Sequence, residues 1–349
     1  MDIEMLHFRA GVTEAVRSFF RKKNYLEVDT PALSPVLIPE ACLEVFETDY
    51  IRPSLKTEQD TVPLFLVPSP EIYIKQLVAD HKTSMFQISK CYRNVESAGR
   101  IHSPEFTMLE YYTMDADYLD SIRITEDLIS HILERVFSPD TVPGHLKPPY
   151  ESLSVNEAFE KYAGFSLAEC AEYPEDEAGR KLAAHAERLG CGDREKFAAY
   201  GVDDLYEVIL VQTVEPGLSA GPPVFLTDYP VFVPCLAQER ETAFSRTAPA
   251  EKKWRTKERW ELYIRGVEIA NCYSEERNEA RIEAFFSEEN REKLKTAKVP
   301  HPVPGNFGEI CARMPPCSGV AAGLDRLIMV MAERSSIDSV LPFPLTGNL

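Results

Sequence analysis

The sequence predicts an α+β fold in which antiparallel strands pack against helices, and three stretches of the 349 residues indicate this. Residues 5–23 carry apolar side chains at helical spacing, which predicts an amphipathic helix. Residues 85–112 alternate with a two-residue period around a polar turn, which predicts a pair of strands. A second hairpin is predicted at 263–270, with its turn at Arg265–Gly266.

The remaining chain continues the alternation of helices and strands. A strand is predicted from residue 223, and further helices are predicted at 71–81, 121–137, 176–189, 194–214 and 278–297. Two polar stretches without a clear period, 32–61 and 236–259, are predicted to be an irregular segment and a mobile loop. We therefore expect a single domain over 1–349 with a helical insertion at about 120–222.

Composition narrows the class of protein. Apolar residues make up 44% of the chain, enough for a substantial core, and the net charge is −18. A strongly acidic surface repels phosphate backbones, so a large nucleic-acid footprint is not expected. The eight cysteines show no metal-ligand spacing, and no apolar run reaches membrane-spanning length. We expect a cytoplasmic protein with reduced thiols and no contact with a membrane.

The first hairpin carries an unusual set of side chains in and beside its turn. Arg93 precedes the turn, His102 lies in it, and Phe106 begins the second strand. An arginine binds phosphate bidentately, and an aromatic face stacks on a nucleobase. On the residues alone, this nucleotide-binding interpretation and that of a solvated hairpin with chance charges are equally supported.

Two other patterns favour an ordinary interpretation when considered alone. Ser69 and Glu71 suit the N-terminus of a helix, as cap and first-turn acid. Glu261 and Glu268 are seven residues apart across the second hairpin, which can bring both carboxylates to one place. Paired carboxylates repel unless a cation lies between them, and Mg²⁺ carried by ATP is the obvious candidate. The alternative is two surface glutamates in an acidic protein.

Three segments together resemble the class II aminoacyl-tRNA synthetases, in the lysyl branch. They are a helix and strand near the N-terminus (motif 1), the stretch YRNVESAGRIHSPEFTMLEYY (motif 2) and MPPCSGVAAGLDRL (motif 3). The resemblance implies that Arg93 holds the α-phosphate of ATP, that Arg326 holds the γ-phosphate, and that Phe106 stacks under adenine. The loop before His102 is one residue longer than is usual in the family, so assigning Glu96 rather than Val95 is a choice. The implied ATP-binding residues are Arg93, Asn94, Glu96, His102, Ser103, Phe106, Glu268, Ile269, Gly323 and Arg326, with Arg93 and Arg326 catalytic.

The same resemblance implies a pocket for a lysine-like substrate. Glu71 binds an amino group, while Glu275 and Tyr112 bind the terminal ammonium. Glu261 and Glu268 hold Mg²⁺. The implied substrate-binding residues are Ser69, Pro70, Glu71, Tyr112, Asn271, Glu275 and Ala321. Cys272–Tyr273 stands where the family usually has Gly–Phe, so the pocket wall is expected to differ.

Within that family, the chain resembles the elongation factor P lysyltransferases, which are truncated relatives of the lysyl-tRNA synthetases. The motif 1 helix begins within the first ten residues, so we expect no anticodon-binding barrel. Ala321 stands where lysyl-tRNA synthetases have glycine, and in the lysyltransferases this accompanies a preference for (R)-β-lysine over lysine. The implied acceptor is elongation factor P, and a homodimer is implied by motif 1. Two alternatives stay open: an enzyme that charges tRNA, and a non-catalytic binding or regulatory paralogue.

Overall fold

The structure is a computed structural model and describes residues 2–52, 61–95, 99–197, 199–244 and 251–345. The helices are α1 (Ile3–Lys22), α2 (Glu71–His81), α3 (Tyr118–Val136), α4 (Val155–Ala158), α5 (Leu167–Ala171), α6 (Glu175–Arg188), α7 (Arg194–Phe197), α8 (Val202–Ile209), α9 (Glu215–Leu218), α10 (Glu279–Thr296), α11 (Phe307–Ala312) and α12 (Leu324–Met331). The strands are β1 (Leu26–Glu27), β2 (Leu33–Ser34), β3 (Glu47–Ile51), β4 (Thr61–Leu66), β5 (Met85–Tyr92), β6 (Glu105–Met114), β7 (Glu151–Ser154), β8 (Val224–Pro230), β9 (Glu239–Ala243), β10 (Lys253–Ile264), β11 (Val267–Ser274) and β12 (Cys317–Gly323). They fall into two compact units.

Unit 1 comprises Met1–Val142 and Glu275–Leu349. Its main strands lie in the order β1-β5-β6-β12, with β1 parallel to β5 and the other pairs antiparallel. The helices α1 and α3 pack together on this sheet, where Phe20 stacks on Phe86 at 4.8 Å between ring centroids. A smaller sheet has the order β2-β4-β3. The predicted helix at 5–23 and the predicted first hairpin are both confirmed.

Unit 2 is the continuous segment Pro143–Ser274. Its strands lie in the order β11-β10-β8-β7, with β9 paired to β10, and only β7–β8 is parallel among the described pairs. The helices from α4 to α9 bury their apolar faces in one core with side chains of β8 and β10. The turn of the second hairpin is confirmed at Arg265–Gly266, where both residues have positive φ, as a tight two-residue hairpin turn requires.

Two polar stretches contain strands where irregular structure was expected. Residues 32–61 include β2 and β3, and every residue of β3 is exposed, so its pairing with β4 leaves no apolar alternation in the sequence. Residues 236–259 include β9 and the first half of β10, where Trp254 and Thr256 are buried between charged neighbours. Charged residues therefore hid a true two-residue period, and the prediction of a mobile loop is wrong for these strands.

Two helix predictions also need correction. The single helix expected at 194–214 is divided into α7 and α8, followed by a π-helical turn at Leu210–Val214. Ser69 does not cap α2, because Pro70 occupies the N-cap position and no side chain caps the helix there. Among the described residues, no helix is both long and apolar enough to cross a membrane. All eight cysteines lie in the described ranges, and none forms a disulfide.

Candidate active site

An acidic cluster in unit 1 is formed by residues of α2, β6 and β12 and by Glu275, which lies four residues before the start of α10. Its members are Glu71, Lys75, Glu110, Tyr112, Glu275 and Gly319. Glu71 and Lys75 lie one turn apart on α2, and the Lys75 ammonium bonds to Glu71 and lies 2.8 Å from Glu275 Oε2. Tyr112 lies opposite Gly319 in the β6–β12 pairing and donates a hydrogen bond of 2.8 Å to Glu110 Oε1. The predicted substrate residues Glu71, Tyr112 and Glu275 are therefore brought together.

Burial changes the protonation of the carboxyl groups in this cluster. Glu275 is 2% exposed, and burial together with the charge of Glu71 raises its pKa to about 7, against the lowering effect of Lys75. Glu110 is 3% exposed, and burial and Glu71 raise its pKa to about 8. Its Oε2 atom has no hydrogen-bond partner among the described residues. The cluster is therefore short of positive charge, and an ammonium group fits that deficit.

Gly319 provides the space that this arrangement needs. A Cβ atom at residue 319 would overlap Glu275 Oε1 and would lie 2.7 Å from the Tyr112 ring. Two residues further along β12, Ala321 lies opposite Glu110 and shares its face of the sheet. The methyl group of Ala321 therefore lies on the same face as the carboxyl groups of the cluster.

The residues predicted to bind ATP in motif 2 lie at the loop end of the β5–β6 hairpin. The Arg93 backbone N–H donates to the Pro104 carbonyl at 3.0 Å, and the Arg93 guanidinium lies 5.2 Å from the centre of the Phe106 ring. This distance is that of a cation–π pair. Ser103 is buried and His102 is half-buried, whereas Glu96 lies outside the described residues. A guanidinium group and an aromatic face are thus adjacent in this hairpin.

Motif 3 is anchored to motif 2 by its Asp–Arg pair. The Arg326 Nε atom donates to the Ile101 carbonyl at 3.1 Å, which fixes Arg326 against the motif 2 turn. Asp325 accepts a 2.6 Å hydrogen bond from the Thr107 backbone N–H and lies 2.6 Å from the Arg9 guanidinium. Gly323 has an ordinary φ of −72°. Gly323 is therefore not required for an unusual backbone conformation. Its predicted role is to leave space in which the nucleotide can approach the backbone closely.

Asn94 performs a structural task beside its predicted one. Its backbone N–H donates to the Glu44 carbonyl at 2.8 Å, and its side-chain amide donates to the Val45 carbonyl at 3.3 Å. The Lys293 ammonium donates to the carbonyls of Glu40 and Leu43 from the other side. The segment 40–45 is thereby held between motif 2 and α10. Burial and a neighbouring Glu71 raise the pKa of Glu40 to about 7, against the lowering effect of Arg93.

In unit 2, a β-bulge determines which side chains of the second hairpin share a face. Glu261 lies opposite Asn271, but the next pairs shift register so that Tyr263 lies opposite Glu268, and Ile269 is the extra residue. Glu268 and Asn271 are three residues apart and would otherwise point to opposite faces. The bulge places both on the face of Glu261, and the half-exposed positions of β11 follow this pattern.

Two carboxylates, those of Glu261 and Glu268, lie on this face, and carboxylate oxygens are the ligands that hard divalent cations prefer. Tyr263 donates to Glu261 Oε2 at 2.7 Å, and Arg259 bonds to the other oxygen. Burial and the charges of three other glutamates raise the pKa of Glu215 to about 7. These three, Glu261, Glu207 and Glu268, concentrate negative potential here. Among the described residues, no group of three or more His, Cys, Asp or Glu is arranged to hold a metal ion. A cation bound here would therefore bring other ligands, as nucleotide-bound magnesium does.

Sequence reasoning missed two members of the acidic cluster. Lys75 received no role in the sequence analysis. It lies three residues from each of the buried residues Ile72 and Val78, a helical spacing that indicates its burial. Glu110 shares the two-residue period of Phe106 and Tyr112, which placed it on the right face without suggesting a role. Periodicity thus contained the signal for both residues.

Comparison with known proteins adds independent information. Residues 3–347 match the family described as tRNA synthetases class II (D, K and N). A protein of Photobacterium profundum named elongation factor P--(R)-beta-lysine ligase is 31% identical over 345 residues, which cover 99% of this chain and 96% of that protein. Proteins of the same name from Proteus mirabilis and Photorhabdus laumondii are each 30% identical, over 97% of this chain and 94% of their own lengths. The likeness thus covers nearly the whole of each protein.

Proposed function

Since this chain belongs to the class II tRNA synthetase family of the D, K and N type, we propose that it activates (R)-β-lysine or lysine with ATP and transfers it to elongation factor P. The relatives that share nearly its full length carry the corresponding name. The observation that carries the proposal is the acidic cluster, in which buried Glu110 and Glu275 lie with Glu71. A substrate without ammonium groups would leave this cluster uncompensated, at a cost of roughly 3–5 kcal/mol for a buried carboxylate.

The first step forms an aminoacyl-adenylate. The substrate carboxylate is already ionised at neutral pH, so it attacks the α-phosphate of ATP without a general base, and pyrophosphate leaves. In this proposal, Arg93 and Arg326 stabilise the negative charge on the phosphates. Glu71, Tyr112, Asn271 and Glu275 orient the substrate. A divalent cation, which we propose to be Mg²⁺ held by Glu261 and Glu268, would neutralise phosphate charge.

The second step transfers the aminoacyl group to protein. The uncharged ε-amino group of a lysine on elongation factor P attacks the adenylate carbonyl, and an amide bond forms. The bond from the carbonyl carbon to the phosphate oxygen breaks, AMP leaves with its electron pair, and the attacking nitrogen releases one proton to solvent. The net charge of −18 would attract a basic acceptor loop and would repel tRNA. This charge favours the protein acceptor over the tRNA-charging alternative.

A homodimer is part of the proposal. Ile3 and Leu6 of α1, Leu26 of β1 and Leu33 of β2 are exposed apolar side chains in the motif 1 region of unit 1. Exposed apolar residues in the segment that the resemblance assigns to the dimer interface support this proposal. Sedimentation equilibrium of the full chain tests this, and a monomer at micromolar concentration would contradict it.

The function is tested by ATP–pyrophosphate exchange with each lysine isomer, followed by mass spectrometry of elongation factor P. We expect exchange that depends on lysine or (R)-β-lysine, and an added aminoacyl mass on elongation factor P. Arg93→Ala and Glu275→Gln should each abolish exchange. The exposed residues Arg123 and Glu288 provide the matched controls Arg123→Ala and Glu288→Gln. Charging of tRNA without modification of elongation factor P would support the alternative of a tRNA-charging enzyme. Absence of any exchange would support the alternative of a non-catalytic paralogue.

A further inference from the structure

Lys75 is a buried lysine with a defined place between two of the carboxylates assigned to the substrate. Its side chain is 2% exposed and its ammonium pairs with both Glu71 and Glu275. The ammonium also lies 5.8 Å from the centre of the buried Phe307 ring. Burial acts to lower the pKa of Lys75, but the charges of Glu275 and Glu71 hold that pKa well above its ordinary value. Lys75 is therefore a permanent cation inside the cluster.

The geometry divides the oxygen atoms of these carboxylates into two sets. Lys75 binds Oε1 of Glu71 and Oε2 of Glu275. The other oxygen of Glu275 lies over Gly319 beside Tyr112, on the side where the absent Cβ leaves room. Glu275 thus turns one oxygen to the Lys75 ammonium and the other to the space above Gly319, while Glu71 is bound to the same ammonium through Oε1.

We propose that Lys75 is a positioning residue that cross-links Glu71 and Glu275, so that their remaining oxygens receive the two ammonium groups of a diamino acid. This inference rests on the proposed function and extends it to a residue that the family resemblance did not supply. The charge of the cluster agrees with it. A bound ammonium group favours the ionised form of a nearby carboxyl group, and with all three carboxyl groups ionised the Lys75 ammonium leaves two negative charges, which match the two ammonium groups of lysine or β-lysine.

Loss of the Lys75 charge has a consequence that differs from simple loss of stability. Without it, Glu71 and Glu275 repel each other, and Glu275 stays protonated to higher pH. Only the ionised carboxylate attracts a substrate ammonium. The titratable groups that face Glu275 are Glu71 and Lys75 from α2, Glu110 and Tyr112 from β6, Cys311 from α11 and Cys317 from β12. Of these groups, Lys75 is the one that carries a positive charge.

The test compares the pH dependence of kcat/KM for lysine, in pyrophosphate exchange, between the full-length wild-type protein and Lys75→Met. We expect the acid limb to move upward by about one pH unit or more, since removal of an opposite charge within a few ångströms shifts a pKa by roughly 1–3 units. The loss should fall on KM for lysine rather than on KM for ATP. Lys23→Met, at a partly exposed lysine paired with Asp127, is the matched control and should leave the limb in place.

A purely structural role would lower the melting temperature and leave the acid limb unmoved, and this outcome overturns the inference. If Lys75→Met does not fold, the same pH profile is measured with Lys75→Gln, which keeps a hydrogen-bond donor but removes the charge. Absence of exchange in the wild-type protein with every lysine isomer overturns the proposed function, and the inference with it. If the wild-type protein catalyses exchange but the pH profile of kcat/KM is the same in Lys75→Met and Lys75→Gln, the positioning role of Lys75 is overturned and the proposed function stands.

Discussion

Gly319 lies directly beneath the carboxylate of Glu275, so close that a Cβ at residue 319 would overlap Oε1. We expect Gly319→Ala to reduce kcat/KM for lysine by on the order of a hundredfold, because a displacement of about 1 Å in a positioning group has effects of this size. Pyrophosphate exchange measures it. Gly305→Ala is the control, since nothing lies within 4 Å of a Cβ there. Equal activity of the two variants would contradict the assigned position of Glu275.

The pH dependence of activation follows from Glu275. Its pKa of about 7 is raised above the ordinary value, so the carboxyl is ionised above that pH and neutral below it. Because only the ionised form attracts an ammonium group, kcat/KM for lysine should fall about tenfold per pH unit below pH 7. The KM for ATP should not follow this fall. A flat profile between about pH 6 and pH 8 would remove Glu275 from substrate binding.

The raised pKa of Glu110 makes the stability of the folded protein depend on pH. Its pKa is about 8 in the folded protein and near the ordinary carboxyl value when unfolded, so stability is lost as pH rises between these two values. Glu110→Gln removes this loss and should stabilise the protein at pH 8 by on the order of a few kcal/mol, with little effect at pH 4.5. Chemical denaturation at both pH values measures the difference. Equal effects at both would show that Glu110 titrates normally.

The Asp325 carboxylate joins three elements and should be important for stability. Asp325→Ala leaves the Arg9 guanidinium and the Thr107 N–H without this partner, at a cost of roughly 3–5 kcal/mol for a buried pair. Asp127→Ala removes an exposed partner of Lys23 and should cost less than about 1 kcal/mol. Urea unfolding of both variants makes the comparison. Similar losses would mean that the buried pair contributes no more than the exposed one.

Metal dependence tests the bulged hairpin. Glu268→Gln should raise the Mg²⁺ concentration for half-maximal exchange by about tenfold or more, because even indirect changes at metal sites cost 10–100-fold in affinity. Glu241→Gln, at an exposed glutamate of β9, is the control. An unchanged Mg²⁺ requirement in Glu268→Gln would exclude Glu268 as a ligand.

Ala321 is the residue through which we expect a preference between the lysine isomers. Ala321→Gly should change the ratio of kcat/KM for (R)-β-lysine and lysine by about 10–200-fold in favour of lysine, the usual effect of one carbon in a pocket. Its place opposite Glu110 supports this expectation. Competition between the two isomers in one exchange reaction measures the ratio directly, and an unchanged ratio would assign the preference to other residues.

The sequence was informative where periodicity and burial coincide. The hairpin from Met85 to Met114 and the helix α1 were predicted because apolar side chains recur along each with the period of its structure. The strand β3 was missed because both its faces are exposed, so that backbone hydrogen bonds alone define it. Periodicity cannot report such a strand.

The sequence analysis predicted the carboxylates Glu71 and Glu275 of the candidate site but not the buried Lys75 between them. Glu71 and Glu275 were found through resemblance, and the structure brings them to the same ammonium of Lys75. The sequence does not show that Lys75 joins these two carboxylates, because Glu275 comes from a distant part of the chain. The common face of Glu268 and Asn271 also required the structure, because the bulge at Ile269 breaks the alternation on which sequence reasoning depends.

That extra residue has a consequence for how this segment tolerates change during evolution. Substitution at Ile269 alters one side chain, whereas loss or gain of a single residue between Glu268 and Asn271 would turn one of them to the reverse side of the hairpin. The number of residues between Glu268 and Asn271 is therefore constrained more strictly than the identity of those residues. Divergent copies of this enzyme should vary in which amino acids they carry between these two positions, while the interval itself stays at two.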